Sequence, residues 1–335
     1  MKKVLKYCLD LVLVLVVVAS LNCSYVFAAS FEDLQDAIDG NAGGVKITDS
    51  GHDNHYGYGD KNVGTGIYGV ESWTETKEDG SSERNVKLNE QVIFSEKEGS
   101  KLSVVVGKED GSVTIDLNGN DIIGNDRTTI IMVNKDASLI LKDTSSDNIE
   151  EQGTISHGVG SNNGAGGIVV NGGLLIMEGG NISENNVYAT KSYASGVTVK
   201  NDGTFIMNDG TISDNRGSGV EVSGKPGKDT GGTFIMNGGI ISNNDTVTGL
   251  KGGNTAQQGG GVYVSHGGFF TMNGGTISRN IGANGGGIAV IGNGAGAAAI
   301  MKGGIVSGNH ANNYGGGIYV SDMVGNANFE MTGGI

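Results

Sequence analysis

Short apolar segments alternate with Gly-rich polar segments along most of the chain, and they recur at a fixed interval. Methionines mark this interval, with spacings of 30, 29, 36, 29 and 30 residues: Met177, Met207, Met236, Met272, Met301 and Met331. A period of this size is typical of solenoids. Each repeat holds a Gly-Ile/Val-x-Val segment, a Phe-x-Met segment and a single Ile or Val before Ser. Because the first two alternate with period two and none is long enough for a helix, the pattern predicts three short strands per repeat.

Aligning the copies on methionine gives the consensus F-x-M-x-G-G-x-I-S-x-N. The final asparagine is present in five copies: Asn185, Asn215, Asn244, Asn280 and Asn309. A single coil cannot bury its apolar residues, whereas the next coil, about 4.8 Å along the axis, supplies backbone hydrogen bonds and apolar neighbours. We therefore predict an all-β parallel β-helix with about 30 residues per coil. Methionine, phenylalanine and isoleucine columns lie inside it, and stacked asparagine amides bond from coil to coil.

Two segments resemble the repeats of a known group of proteins. They are G-G-G-I-Y-V at residues 315–320 and M-N-G-G-T-I-S-R-N at residues 272–280, each with its copies. They resemble repeats of bacterial adhesin-like surface proteins, including the polymorphic outer-membrane proteins of Chlamydia. The chlamydial pattern has F-x-x-N where this chain has I-S-x-N. The resemblance covers residues 138–335 and implies a right-handed β-helix of the pectin-lyase-like group on a bacterial cell surface.

The sequence divides into four predicted regions. Residues 1–28 read as a secretory signal peptide, with a basic start, a short apolar stretch and small residues before the expected cleavage. Both cysteines, Cys8 and Cys23, lie in this region. Residues 29–45 hold the first strand and a helix whose apolar residues share one face, which predicts a cap on the first coil. Residues 46–137 read as N-terminal coils with an aromatic, Gly-rich insertion. Residues 138–335 hold the regular repeats and stop in mid-repeat, which we interpret as a truncation.

The composition and net charge of the chain disfavour some classes of binding partner. The chain has 62 Gly, one Pro and a formal net charge of −14. This acidity disfavours binding to nucleic acid or to anionic membranes, because phosphate neutralisation requires clustered Lys and Arg. We expect a secreted or cell-surface protein with no membrane span in its mature segment, and a host glycan or protein as its partner.

Candidate ligand-binding residues are aromatic, since aromatic faces stack on sugar rings. Tyr56, Tyr58 and Trp73 lie in the N-terminal insertion, and Tyr263 and Tyr319 occupy the outward position of two Gly-Ile/Val-x-Val segments. Glycoside hydrolases need paired carboxylates, and lyases need a base beside Ca²⁺-binding carboxylates. The repeats show neither pattern, and the sequence predicts no catalytic residue, metal ligand or cofactor.

Two hypotheses follow from these observations. The first is a non-enzymatic, adhesin-like protein that presents a β-helix to host or glycan ligands. The second is a polysaccharide lyase or hydrolase whose site lies in the N-terminal coils or beyond residue 335.

Overall fold

The computed structural model shows a parallel β-solenoid of about seven turns with roughly 29 residues per coil. It describes residues 29–39, 70–77, 80–94, 103–125, 128–148, 151–160, 164–187, 194–225, 230–247 and 258–335. The expected signal peptide lies outside this range. The all-β parallel fold predicted from the repeat is confirmed.

The strands, numbered in chain order, form three rows along the axis. The Val row contains β5 (Val104–Val106), β8 (Ile131–Asn134), β12 (Ile168–Asn171), β15 (Ala194–Lys200), β17 (Ser218–Val222), β20 (Val262–Ser265), β24 (Ile288–Asn293) and β28 (Ile318–Val324). The Met row contains β3 (Ser82–Leu88), β6 (Ser112–Asp116), β9 (Ser138–Lys142), β13 (Leu174–Ser183), β16 (Thr204–Ser213), β18 (Thr233–Met236), β21 (Phe269–Met272), β25 (Ala297–Met301) and β29 (Ala327–Met331). The Ile row contains β1 (Ala29–Ser30), β4 (Val92–Ile93), β7 (Ile122–Ile123), β10 (Thr154–Ser156), the second halves of β13 and β16, β19 (Ile240–Ser242), β22 (Thr276–Ser278) and β26 (Ile305–Ser307).

The remaining elements lie outside these rows. Strand β2 (Val70–Thr76) pairs antiparallel with β3. Two short parallel pairs are β11 (Val159–Gly160) with β14 (Asn186–Val187), and β23 (Ile281–Asn284) with β27 (His310–Tyr314). A 3-10 turn covers Lys108–Asp110, and helix α1 covers Phe31–Asp39.

Equivalent residues of successive coils lie directly over one another in the core. Met177 pairs in register with Met207, and the same column continues through Met236, Met272, Met301 and Met331. The rings of Phe205, Phe234 and Phe270 stack with centroids 4.8 and 4.9 Å apart. The side chains of these three phenylalanines are almost completely buried. Burial of this kind supplies the main stabilising free energy of a solenoid, since each coil provides the apolar neighbours of the next.

The asparagines that follow the Ile row form a second, polar ladder inside the corner. The Asn185 side-chain amide donates to Asn215 Oδ1 at 3.1 Å, Asn215 to Asn244 Oδ1 at 2.9 Å, Asn244 to Asn280 Oδ1 at 2.9 Å, and Asn280 to Asn309 Oδ1 at 3.0 Å. The first four of these asparagines are buried, and Asn309 is partly exposed. Each amide also donates to a backbone carbonyl of the preceding coil, as Asn244 does to Ile212 O at 2.9 Å. The corner therefore buries polar groups without leaving their amides unbonded.

Helix α1 covers the first coil, as its apolar face predicts. Leu34 and Ile38 are fully buried in the main core. The Gln35 amide bonds the edge of β5 twice: its Nε2 donates to Val105 O at 3.0 Å, and its Oε1 accepts from Val105 N at 2.7 Å. One glutamine side chain thus replaces the peptide group that a preceding coil would otherwise supply.

Replacing Gln35 by alanine is expected to lower the free energy of unfolding by about 1–2 kcal/mol, because both backbone groups of Val105 lose their partner. Urea denaturation followed by circular dichroism measures the change. The control is Asp36→Ala, one residue along the same helix, which should change stability by less than about 0.5 kcal/mol. Equal losses in the two variants would mean that Gln35 acts only through helix formation.

The carboxyl group of Glu90, between β3 and β4, has an Oε2 that is enclosed and finds no hydrogen-bond partner among the described residues. Burial raises the pKa of Glu90 above its usual 4.5. Since the pKa is raised in the folded state, ionised Glu90 costs stability at neutral pH, and this cost disappears as the pH falls through the folded pKa.

We therefore expect Glu90→Gln to raise the free energy of unfolding by about 1 kcal/mol at neutral pH and to give no gain at about pH 4. Urea titrations of both proteins at the two pH values measure this. A gain of the same size at both values would contradict an electrostatic origin.

Candidate functional site

Three successive coils present the same uncharged outer surface on the Met row, which we call the Asn face. Its nine residues are Thr204, Ile206, Asn208, Thr233, Ile235, Asn237, Phe269, Thr271 and Asn273. They alternate with the buried Phe and Met of β16, β18 and β21 and therefore lie on the outer side of the strands. Eight of them are exposed or partly exposed, whereas Thr271 is only 8% exposed. The three strands pair without a register shift, so Ile206 lies beside Ile235, and Ile235 beside Thr271.

The asparagines of this face form an exposed ladder. Asn237 Nδ2 donates to Asn208 Oδ1 at 2.9 Å, and Asn273 Nδ2 donates to Asn237 Oδ1 at 2.8 Å. A primary amide has two donors and two acceptor lone pairs. Asn237, which uses one donor and one lone pair within the ladder, therefore offers one of each to a ligand.

The other two columns of the Asn face are apolar or weakly polar. Ile206 and Ile235 are partly exposed, and Phe269 is 36% exposed at the end of the column that begins with Thr204 and Thr233. The turn from the Met row to the Ile row has the same length in five coils, with the Ile-row residue five positions after methionine. No loop insertion therefore interrupts the surface on that side.

Charged residues border the Asn face but do not enter it. In the coil before the face, Glu178 follows methionine and pairs with Asp209, the residue after Asn208. In the coil after the face, Lys302 takes the position of the asparagine. In a chain with a net charge of −14, the nine positions of the Asn face carry no charge, and the exposed Asp209 lies at its border.

The outward column of the Val row, by contrast, is covered. Tyr263 is 3% exposed and packs with Ala289 and Ile291. The reason is the Gly-rich turn before each strand, which folds back over the outward residue: a Cβ on Gly259 would lie 2.9 Å from Tyr263 Cα. Tyr263, which the sequence places at an outward position, therefore has little surface to offer a ligand.

Tyr319 lies in the last coil and is partly exposed. It packs against the cluster of Tyr263, Ala289 and Ile291. Its ring stacks on that of Tyr314, with centroids 6.2 Å apart and planes at 18°. Tyr314 is 67% exposed, so these two tyrosines form an aromatic corner.

The N-terminal aromatic residues are not brought together with this corner. Trp73 lies on β2, beside the first coils, and its indole N–H donates to Glu75 Oε1 at 2.9 Å. Tyr56 and Tyr58 lie outside the described residues. Trp73 and Tyr319 therefore stand at opposite ends of the solenoid.

Several aspartates of the N-terminal coils serve as acceptors for backbone N–H groups. Asp116 Oδ1 accepts from Thr144 N at 3.0 Å, Asp143 Oδ2 from Gly153 N at 2.7 Å, and Asp121 Oδ1 from Thr154 N at 2.8 Å. These carboxylates hold turns together.

Lys200 and Thr198 lie on the outer side of β15 and are largely enclosed. Burial lowers the pKa of Lys200, and the nearby Glu221 carboxylate opposes the shift. Thr198, 2% exposed, has a hydroxyl oxygen without a hydrogen-bond partner in the described part of the chain. A lysine and a glutamate that partly offset each other explain why this strand tolerates charge on a covered face.

The asparagines of the exposed ladder are functional candidates that the sequence interpretation missed. Asn208, Asn237 and Asn273 each follow a buried methionine directly, so the period-two pattern already places them outside. Three successive copies of the repeat carry asparagine at this position. This recurrence was the signal in the sequence that could have indicated the exposed ladder.

Among the described residues, no group of three His, Cys, Asp or Glu side chains is placed to hold a metal ion. No helix in the described ranges is long and apolar enough to cross a membrane. Comparisons with protein families, with curated proteins and with solved structures each give no match. The structure therefore assigns the chain to a fold class, the parallel β-solenoids.

Proposed function

We propose that the chain is a secreted, adhesin-like surface protein that binds an extended ligand on the Asn face and does not cleave it. One observation carries the proposal: exposed asparagines, hydrogen-bonded to one another, recur over three coils beside uncharged neighbours. A surface without a titratable group supplies no nucleophile and no general acid or base, but it can supply hydrogen bonds and apolar contact.

The ladders make this surface rigid before any ligand arrives. The amides of Asn208, Asn237 and Asn273 are fixed by one another. The phenylalanine and methionine columns hold the strands from below. Since little side-chain freedom remains to be lost, binding to such a face costs less conformational entropy than binding to mobile side chains.

The experiment is a binding survey of the secreted chain on immobilised polysaccharides and extracellular-matrix proteins by biolayer interferometry. The same polysaccharides are assayed for new reducing ends and for unsaturated products. We expect saturable binding to at least one member and no chain cleavage. Cleavage would assign the protein to the lyases or hydrolases. If the chain binds no member of the survey, the proposal is overturned.

A further inference from the structure

We infer that the ligand of the Asn face is a neutral polysaccharide that lies parallel to the solenoid axis. This inference rests on the proposed function and specifies its ligand. It draws on three properties of the face: the remaining hydrogen-bonding capacity of its asparagine ladder, its apolar columns and its lack of charge.

The asparagine ladder matches rows of hydroxyl groups. Asn237 offers one free donor and one free acceptor, and its neighbours in the ladder add further free groups of both kinds. A sugar hydroxyl is both a donor and an acceptor, so it can use both groups of one amide. A carboxylate or sulfate is an acceptor only, so it can bond the donor of such an amide but not its oxygen.

The apolar columns match the C–H surfaces of sugar rings. Ile206 and Ile235 lie beside the asparagine column on the same strands. Phe269 is the one aromatic residue of the face and, at 36% exposure, presents part of its ring to solvent. A ring in this position can stack on a pyranose whose neighbours bond the asparagines.

The direction of the ligand follows from the direction of the repeat. The asparagine amides recur along the axis, at about 4.8 Å per coil, whereas successive outward residues along the chain within one coil differ. Asn208 and Asn273 are thus separated by about 10 Å, two coil spacings. A polymer of repeating units meets the same groups again only if it lies along the axis.

The electrostatics of the chain favour a neutral polymer over an anionic one. The net charge of −14 repels polyanions at moderate ionic strength, and no outward Lys or Arg lies within the Asn face to offset the repulsion. A neutral polysaccharide encounters no such barrier.

The first test introduces one negative charge on the Asn face and one at a nearby position off it. Asn237→Asp keeps the shape of the side chain but replaces its donor by a charged acceptor. The matched control is Asn243→Asp in the same coil, exposed at the corner and hydrogen-bonded by Arg279 Nε at 3.1 Å. Binding to soluble β-glucan, xyloglucan and galactomannan is measured for each variant, with polygalacturonate and hyaluronan as the anionic set. Thermal unfolding verifies the fold.

We expect the unaltered chain to bind at least one neutral polymer and to bind the anionic set at least about tenfold more weakly. Asn237→Asp should raise the dissociation constant for the neutral polymer about tenfold or more, whereas Asn243→Asp should change it less than about twofold. A second pair tests the aromatic contact. Phe269→Ala should weaken binding about fivefold or more, and Tyr314→Ala, which truncates the most exposed tyrosine of the aromatic corner, should leave it unchanged.

The outcomes separate this inference from the proposed function. Preference for an anionic polysaccharide, or binding only to a protein, would overturn the inference and leave the adhesin-like function standing. If a neutral polymer binds with equal affinity to Asn237→Asp and Asn243→Asp, the ligand lies elsewhere, and both the inference and the Asn-face site of the proposed function are overturned. No binding to any polysaccharide or protein would overturn both.

Discussion

Replacing Asn244 by leucine is expected to lower the free energy of unfolding by about 3–5 kcal/mol. The two side chains have the same number of heavy atoms and the same branching, and leucine is the larger, so the change removes hydrogen bonds without opening a cavity. Asn244 Oδ1 accepts from Asn215 N at 3.2 Å and from Asn215 Nδ2 at 2.9 Å. Its own Nδ2 donates to Ile212 O and to Asn280 Oδ1. The variant leaves several of these buried groups without a partner, which costs more than a hydrogen bond contributes when it is made.

The control for this prediction lies in the same coil. Asn237 also belongs to a ladder of side-chain amides, but its amide is exposed and water replaces any lost partner. Asn237→Leu should therefore change stability by less than about 0.5 kcal/mol. Urea denaturation measures both variants.

Hydrogen exchange locates the damage caused by Asn244→Leu. The amide of Asn215 should exchange faster, whereas that of Asn280, which donates to Asn309 Oδ1 at 2.9 Å, should keep its protection. Equal losses in Asn244→Leu and Asn237→Leu would show that the buried ladder contributes no more than the exposed one.

The repeat alone was enough to predict the inner ladders. Buried columns require equivalent side chains at equal intervals, and the asparagine eight residues after each methionine meets that condition in five coils. Because the spacing and the residue type recur together, neighbouring copies can satisfy each other, and the structure pairs Asn185 with Asn215 in this way. Helix α1 was equally visible, since Leu34 and Ile38 share one face.

The covered outer side of the Val row could not be predicted from the sequence. Period-two alternation places Tyr263 on the opposite side of its strand from Val262 and Val264, but it does not say whether a second layer lies over that side. The cover depends on the path of the turn around Gly259, whose φ of +62° folds the backbone onto the tyrosine. Gln35 is a similar case, because the bond of its amide to Val105 depends on where the helix docks.

The Asn face was predictable from the sequence only in part. Its residues were readable as outward, but its neutrality becomes visible only when three coils are placed side by side and the charges of Glu178 and Lys302 fall to either end. A property that belongs to several coils at once is not present in any single motif.

Replacing Gly239 by alanine is expected to lower the free energy of unfolding by about 2–4 kcal/mol. Gly239 has a φ of +78°, which costs an L-residue about 1 kcal/mol. A Cβ at this position would also lie 2.5 Å from Met207 Cε and 2.8 Å from Gly210 O. The methionine tip of one coil thus fills the space left by the glycine of the next, and Gly275 has the same relation to Met236 at 2.6 Å.

Two control glycines separate the backbone cost from the steric cost. Gly80 has a φ of +82°, close to that of Gly239, and nothing lies within 4 Å of the place that an alanine methyl group would occupy. Gly80→Ala should therefore cost only the backbone term, about 1 kcal/mol. Gly296, whose nearest neighbour would be Asn326 O at 3.7 Å and whose φ is not positive, should tolerate alanine without loss.

A double-mutant cycle then isolates the contact with Met207. Leucine at position 207 lacks the Cε atom that the new methyl group would strike. Met207→Leu should therefore recover about 1 kcal/mol of the loss caused by Gly239→Ala, measured by urea denaturation of the four proteins in the cycle. Additive losses would mean that the methionine tip moves aside freely, and the Gly-Met column would then owe its regularity to the backbone conformation alone.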